Sequence, residues 1–421
     1  MESLWDKAMT IGMLGPYRVL DLADEKGLLC GKVLGDLGAD VIKVERPGGD
    51  AARNLGPFYH DEPHPEKSLF WLAYNTSKRG ITLNIETADG REIFRRLASK
   101  ADFVIETFPP GHLDRLGLGY SALAKLNPRL IMVSITAFGQ TGPYKDYQTA
   151  DLVAWAMGGE MELMGEPDRP PFRISHHSQA YLHAGTDGAM GALAALSQRW
   201  ATGEGQHVDV SVLESVAQCT ENGPFIWDIW QELRKRGEDA RGGNHRATRI
   251  WPCKYGYVSW SHGGGRSRLA PSLPLVKWME EEGFADDFMR TFDWMRPNFN
   301  ETTQEEMDRI EAPTARFFLA HTKAELLKGA IERQVMLYPV ATAPDLLANA
   351  QLSARQFWEE IDHPELETRL KYPGAFAVSS EAPPRIRRRA PLVGEHNLEV
   401  YEGEIGIRRR DLLALMQAGV I

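Results

Sequence analysis

The stretch "SQAYLHAGTDGAMGALAAL" (178–196) sets a phenol, an imidazole and a carboxylate close together, at Tyr181, His183 and Asp187. Each can hold or pass a proton, so the trio offers acid or base chemistry. Asp187 falls about 120° around a helix from Tyr181, so those two do not share a face. A second set of residues is cationic. Arg46 follows a strand-like run and precedes Pro47-Gly48-Gly49, where its guanidinium could grip a phosphate through two parallel bonds. A solvated turn arginine accounts for it equally well. Lys78 and Arg79 stand together in "YNTSKRG" (74–80), which reads as a loop before the strand-like "ITLNIE". With Arg46 and Arg115 they would form a cationic site for a polyphosphate; facing solvent is their plainer role.

Other motifs lead nowhere. No GxGxxG follows the first strand and no GxxxxGK[ST] loop occurs, so nicotinamide and nucleoside-triphosphate readings lose their support. "HGGG" (262–265) invites an oxyanion-hole reading, but the chain lacks the GxSxG elbow that must accompany it. A loop over a ligand site or a plain turn fits better. His176 and His177 are adjacent, which does not suit a metal pair on one helix face, and no metal site is expected. "IRRR" (386–389) reads as a solvated edge.

These residues need a scaffold, and the first 140 positions supply one. "RVLDLA" (18–23), "DVIKVE" (40–45), "DFVIET" (102–107) and "LIMVSITAFG" (130–139) are short apolar runs suited to buried parallel strands. Between them "TADGREIFRRLASKA" (87–101) places Ile93 and Leu97 on one helical face. Strands alternating with helices imply an α/β, doubly wound sheet, whose ligands bind at the carboxyl ends of the strands. "ERPGGD" (45–50) and "ETFPPG" (106–111) occupy such positions. From about 180 to 199 a helix carries so many Gly and Ala that close packing against a neighbour is the expected reason. The domain expectation is a large domain over 1–215, a small α+β domain over 229–335, and a return to the large domain over 345–421.

Composition narrows the function classes. The 421 residues carry a formal net charge of −10, which argues against a nucleic-acid binder. Cys30, Cys219 and Cys253 show no CxxC spacing, which fits a reducing compartment. The amino terminus lacks the apolar core of a signal peptide, and no run reaches the ~18 apolar residues of a membrane span. The expectation is a cytoplasmic protein with no membrane partner.

At this point the residues match a family. "RVLDLADEKG…LGDLGADVIKVERPGGD", "LFWLAYNTSKRGITLNI", "DFVIETFPPGHLDRLGLGY", "LNPRLIMVSITAFGQTGPY", "TGEGQHVDVSVLE" and "RAPLVGEHNLEV" resemble the class III CoA-transferase family of CaiB/BaiF type, in family order from residue 18 to about 400. The resemblance implies a Rossmann-like large domain built from both chain ends, a small domain, and two chains interlocked as rings. It implies coenzyme A as a substrate, with no permanently bound cofactor. Arg46, Lys78, Arg79 and Arg115 match positions that approach the CoA phosphates, and Thr107 and Phe108 match the segment that touches the nucleotide.

In such transferases an aspartate attacks the donor thioester and then carries CoA as an enzyme thioester before the acceptor carboxylate takes over. The family reads Asp-Leu-His-Ala-Gly, or a near variant, where this chain reads Tyr181-Leu182-His183-Ala184-Gly185. A phenol cannot become an acyl-CoA. Racemases of the family add an upstream histidine, and Trp155 takes that place here. Asp24, Glu25 and Lys26 replace a mostly small or apolar stretch near the nucleotide, where anions would repel phosphates. Some members acting on aromatic succinates pair two homologous chains, of which only one needs the aspartate. The leading expectation is therefore a silent subunit of such a pair, with an aspartate-bearing homologue as partner and an acyl-CoA and a carboxylic acid, benzylsuccinate among the candidates, as substrates. The alternatives are a self-sufficient transferase or isomerase using Tyr181, His183 or Asp187, and a regulatory protein that binds a CoA ester without exchanging it.

Overall fold

A computed structural model describes residues 12–166, 168–175, 178–220, 222–233, 236, 245–263, 272–296 and 298–421. The chain divides into two compact units. One takes Met1–Met161, Arg173–Glu221 and Ser353–Ile421, and thus draws on both ends of the sequence; the other takes Glu162–Phe172 and Asn222–Leu352.

The first unit is built on β1 (Arg18–Asp21), β2 (Asp40–Glu45), β3 (Lys78–Thr82), β4 (Phe103–Glu106), β5 (Ile131–Thr136) and β6 (His207–Ser211). All pair in parallel, in the order β3-β2-β1-β4-β5-β6. Strands β3, β4 and β5 are buried along their whole length, as a parallel sheet covered on both faces requires. The chain winds outward from β1 to β3, then returns to β4 on the other side of β1. Such a reversal opens a crevice at the carboxyl ends of the strands.

Five helices of this unit matter for the site: α1 (Leu28–Asp36), α2 (Ala88–Ala98), α3 (His112–Arg115), α4 (Asp151–Met157) and α5 (Gln179–Thr202). Helix α2 starts at Thr87, whose hydroxyl accepts the Gly90 amide at 3.0 Å, and it buries Ile93, Phe94 and Leu97 as its pattern anticipates. The glycines of α5 are contact points. A Cβ at Gly185 would stand 3.0 Å from that of Leu29 on α1, and one at Gly188 would stand 2.9 Å from Ile135 Cδ1 on β5. The small-residue stripe is thus a packing surface, and it fixes the height at which Tyr181 enters the fold.

In the second unit β7 (Ile250–Cys253), β8 (Gly256–Ser259) and β9 (Tyr338–Pro339) form an antiparallel sheet. Helices α6 (Ser272–Glu281), α7 (Gln304–Ala320) and α8 (Lys323–Arg333) contribute to a core rich in tryptophan. His262, the first residue of "HGGG", belongs to that core. Its ring lies about 6 Å from those of Trp251, Trp260 and Trp294, and burial pushes its imidazole down to about 3. Gly264 and Gly265 lie outside the described residues, as do His176 and His177.

The chain then returns to the first unit through a hairpin of β10 (Trp358–His363) and β11 (Thr368–Pro373) and ends in α9 (Arg409–Gln417). This last segment lies along β3. Gly80 donates its amide to His396 Nδ1 at 3.1 Å, the Tyr401 hydroxyl donates to the Thr82 carbonyl at 2.5 Å, and the Asn84 amide donates to Val420 at 2.7 Å. Among the described residues no helix is long and apolar enough to cross a membrane.

Overpacking the α1–α5 contact should cost stability. Gly185→Leu is expected to lower unfolding free energy by ~1–3 kcal/mol. Gly203→Asn, at a left-handed helix end with open space around it, should change it by less than ~1 kcal/mol. Urea midpoints of the two variants check the contrast.

Candidate active site

The carboxyl ends of β1 to β4 frame a cleft of about 550 Å³. Arg46 lines it from the turn after β2, and Thr107 and Phe108 line it from the segment after β4. His112, on α3, faces into it and stacks on Phe108 with ring centroids 4.8 Å apart. The acids along the cleft have local partners: Glu45 with Arg53 at 2.6 Å, Asp50 with Lys43 at 3.3 Å, Glu86 with His112 at 3.0 Å, and Asp24 with Lys26. Arg46 is exposed and, among the described residues, has no ion-pair partner. The cleft therefore presents one uncommitted guanidinium beside an aromatic wall, a combination suited to a phosphate joined to a planar ring. Thr107 is committed differently. Its hydroxyl accepts the Asp24 amide at 2.9 Å, which fastens the loop after β1 to the loop after β4.

Lys78 and Arg79 are not in a loop. They begin β3 and are buried there, which corrects the expected boundary of that strand. Lys78 is engaged wholly inside the protein: it pairs with Asp21 at 2.8 Å and donates to the Leu28 carbonyl at 2.9 Å and to Asn75 at 3.0 Å. Arg79 binds Asp40 and Glu399, each at 2.7 Å, and also Glu404. Both cations thus meet carboxylates from distant parts of the chain, and neither lines the cleft. Arg115 is exposed on α3, 3.5 Å from His112 Nδ1, so it stands one residue behind the cleft wall.

Tyr181 sits in the first turn of α5, 6% exposed. Asp151, at the start of α4, accepts the Ala180 amide at 2.8 Å and also bonds the Tyr181 amide, so a buried carboxylate stands at the head of α5. Burial pushes the Tyr181 phenol far above its usual range, and the negative charges of Glu25, Asp151 and Asp24 push it further. Glu25 is itself raised, by burial and then by Asp24. The position holds a neutral phenol amid three acids drawn from two other segments. His183 is exposed and meets the edge of the buried Trp155 ring at 5.9 Å. Asp187 lines a different groove, of about 350 Å³, with Asp209 and Glu214. Of the three candidate acid–base residues, Asp187 is thus turned away from the cleft, and none of the three lines it.

Two residues escaped the sequence reading. His112 was signalled by its spacing, four positions after Phe108, which lets the rings stack across one turn. Glu106 had no such signal, because its burial beside Ser134 on the neighbouring strand appears only in the folded sheet. Among the described residues no group of His, Cys, Asp or Glu is placed to hold a metal ion.

The chain belongs to CoA-transferase family III, whose model matches residues 14–397. It is 36% identical to subunit BbsE of succinyl-CoA:(R)-benzylsuccinate CoA-transferase from Thauera aromatica, over 96% of this chain and 97% of that one. It is 31% identical to the beta subunit of succinyl-CoA–L-malate CoA-transferase from Chloroflexus aurantiacus, over 96% of each. The fold matches the crystal structure of a CaiB/BaiF family protein from Brucella suis with a TM-score of 0.78 and 29% identity, covering 93% of this chain and 99% of that one.

The contrast between paired and free cations has a measurable consequence. Lys78→Met leaves Asp21 buried without its closest cation and should cost ~3–5 kcal/mol. Arg46→Met, at the surface, should stay within ~0.5 kcal/mol of the wild type. Denaturant unfolding of both variants decides; equal stabilities would remove the buried pair from the account of the fold.

Proposed function

We propose that this chain is the acyl-free subunit of a heteromeric class III CoA-transferase. The complex moves CoA from a succinyl-CoA-type donor to a carboxylic acid, with benzylsuccinate the acceptor that one relative's name suggests. The observation that carries this reading is Tyr181, a buried phenol kept protonated by burial and three neighbouring acids, at the position we read as the family's nucleophile site.

The chemistry follows from what a phenol lacks. A carboxylate attacks the donor thioester, forms a mixed anhydride, takes CoA back as its own thioester and passes it to the acceptor. Every intermediate needs an acyl carbon on the enzyme, and a tyrosine oxygen offers none. Tyr181 instead fills the position with an aromatic body. The acyl group is carried by the aspartate of a homologous partner, and the two chains assemble as the family's interlocked rings. In this chain the cleft at Arg46, Thr107 and Phe108 takes the nucleotide end of CoA, with Arg115 approaching behind His112. Lys78 and Arg79 hold the strands beneath it. That two relatives are named as subunits supports the two-chain reading.

The test is to produce the chain alone and together with an aspartate-bearing homologue, then follow CoA exchange between succinyl-CoA and benzylsuccinate. The chain alone should show no exchange above background and the pair should exchange. Within the pair, Tyr181→Phe should alter the rate by less than about twofold, whereas Arg46→Ala should weaken CoA binding to this chain about tenfold, ~1.4 kcal/mol. Full exchange by the isolated chain would overturn the proposal.

A further inference from the structure

Three neighbouring strands each contribute one polar side chain beside the segment that follows β4. Glu106 ends β4, Ser134 stands opposite it on β5, and His207 begins β6. Glu106 is 4% exposed and Ser134 1%, whereas His207 reaches the surface, its ring stacked on Tyr120 at 5.5 Å. Ser134 Oγ lies 2.8 Å from His207 Nε2, and Ser134 pairs with Glu106 across the β4–β5 register, where its hydroxyl favours the charged form of the Glu106 carboxyl. The other end of the chain of bonds leads to the cleft. Glu106 Oε2 accepts the amide of Phe108 at 2.7 Å, and Phe108 stacks on His112 to form the aromatic wall.

A hydroxyl has one proton to give, so this arrangement has two self-consistent states. With Glu106 ionised, Ser134 donates to the carboxylate, and His207 must donate from Nε2 to Ser134. With Glu106 protonated, its O–H donates to Ser134, Ser134 donates to His207 Nε2, and the imidazole proton sits on Nδ1. Passage between them balances. Water delivers a proton to Nδ1, the Nε2 proton moves to Ser134, and the Ser134 proton moves to Glu106, for a net uptake of one.

We propose that Glu106 is a positioning residue for the cleft, set through a proton relay from the surface by way of Ser134 and His207. An ionised Glu106 gives the Phe108 amide a charged acceptor, roughly twice as strong as a neutral one, and so fixes the aromatic wall. A protonated Glu106 loosens it. Both states are accessible near neutrality, because burial pushes Glu106 up to about 7, with Asp24 and Asp114 adding repulsion while the Ser134 and Phe108 bonds oppose. His207 stays a neutral, tautomer-forming ring there, since burial holds it below its ordinary range against Asp209 and Asp114. The wall should therefore be firm above about pH 7 and slack below it. The relay stands on the geometry of the cleft; its use in binding CoA rests on the function proposed above.

The experiment is a pH titration of the full chain by NMR from about pH 8.5 to 5.5, without ligand. The protonated nitrogen of His207 should change from Nε2 to Nδ1, and the Phe108 amide proton should move upfield, with one shared midpoint near 7. Glu106→Gln should remove that midpoint from both signals. Ser134→Ala should remove it from His207 and keep it at Phe108, which a merely structural role would not do. Binding of dephospho-CoA, whose charge is constant over this range, should be about threefold tighter at pH 8 than at pH 6, and independent of pH in Glu106→Gln. A His207 tautomer that never changes, or a Phe108 amide indifferent to Glu106, would overturn the relay. The NMR signals are read without ligand, so a chain that binds no dephospho-CoA overturns the CoA reading while the titration still decides the relay.

Discussion

Two lysine side chains enter the interior of the sheet and meet one aspartate. Asp21, at the end of β1, lies 2.8 Å from Lys78 and 3.9 Å from Lys43, and all three are fully buried. Charges removed from water are expensive unless geometry and extra hydrogen bonds compensate. Here Lys78 also bonds the carbonyl of Leu28, and Lys43 the carbonyl of Ala23. One cluster thereby ties β1, β2 and β3 together and holds both ends of the loop from Leu22 to Gly27. That loop forms part of the cleft on one side and supplies the acids that face Tyr181 on the other. The sheet core, the cleft and the surroundings of Tyr181 all depend on its placement.

Held so, the loop gives the two regions opposite characters. Toward the cleft its Asp24 is tied by Thr107 and Lys26, while Arg46 stands exposed on the cleft wall with no ion-pair partner among the described residues. Toward Tyr181, Glu25 and Asp24 add negative charge to a site already closed by Asp151. An anion arriving there, whether a substrate carboxylate or a phosphate, would meet repulsion as well as a neutral phenol. The fold retains the frame of its family, and at Tyr181 it holds a neutral phenol among acids.

Much of the scaffold was legible because buried strands and amphipathic helices leave local patterns. The apolar runs at 18–23, 40–45, 102–107 and 130–139 contain β1, β2, β4 and β5, and the pattern at 87–101 contains α2. Lys78 and Arg79 misled for a physical reason. Charged residues ordinarily mark a solvated loop, and only partners far along the chain, Asp40, Glu399 and Glu404 for Arg79, make burial tolerable. The position of Tyr181 was legible through the family resemblance, but its acidic surroundings come from separate elements and appear only in three dimensions. The Glu106–Ser134–His207 chain needed the register of three strands, which no local pattern encodes.

The closing segment also bears on how the protein is made. Strand β3 is complete by residue 82, yet its outer edge is bonded to His396, Asn397 and Tyr401, and the turn beyond it to Val420. More than three hundred residues separate these partners. On the ribosome that edge must wait, unpaired, until more than three hundred further residues have been made. Contacts of such sequence separation slow folding and leave intermediates prone to association. Through the synthesis of those residues the nascent chain thus carries an open sheet edge that a chaperone or another chain could occupy.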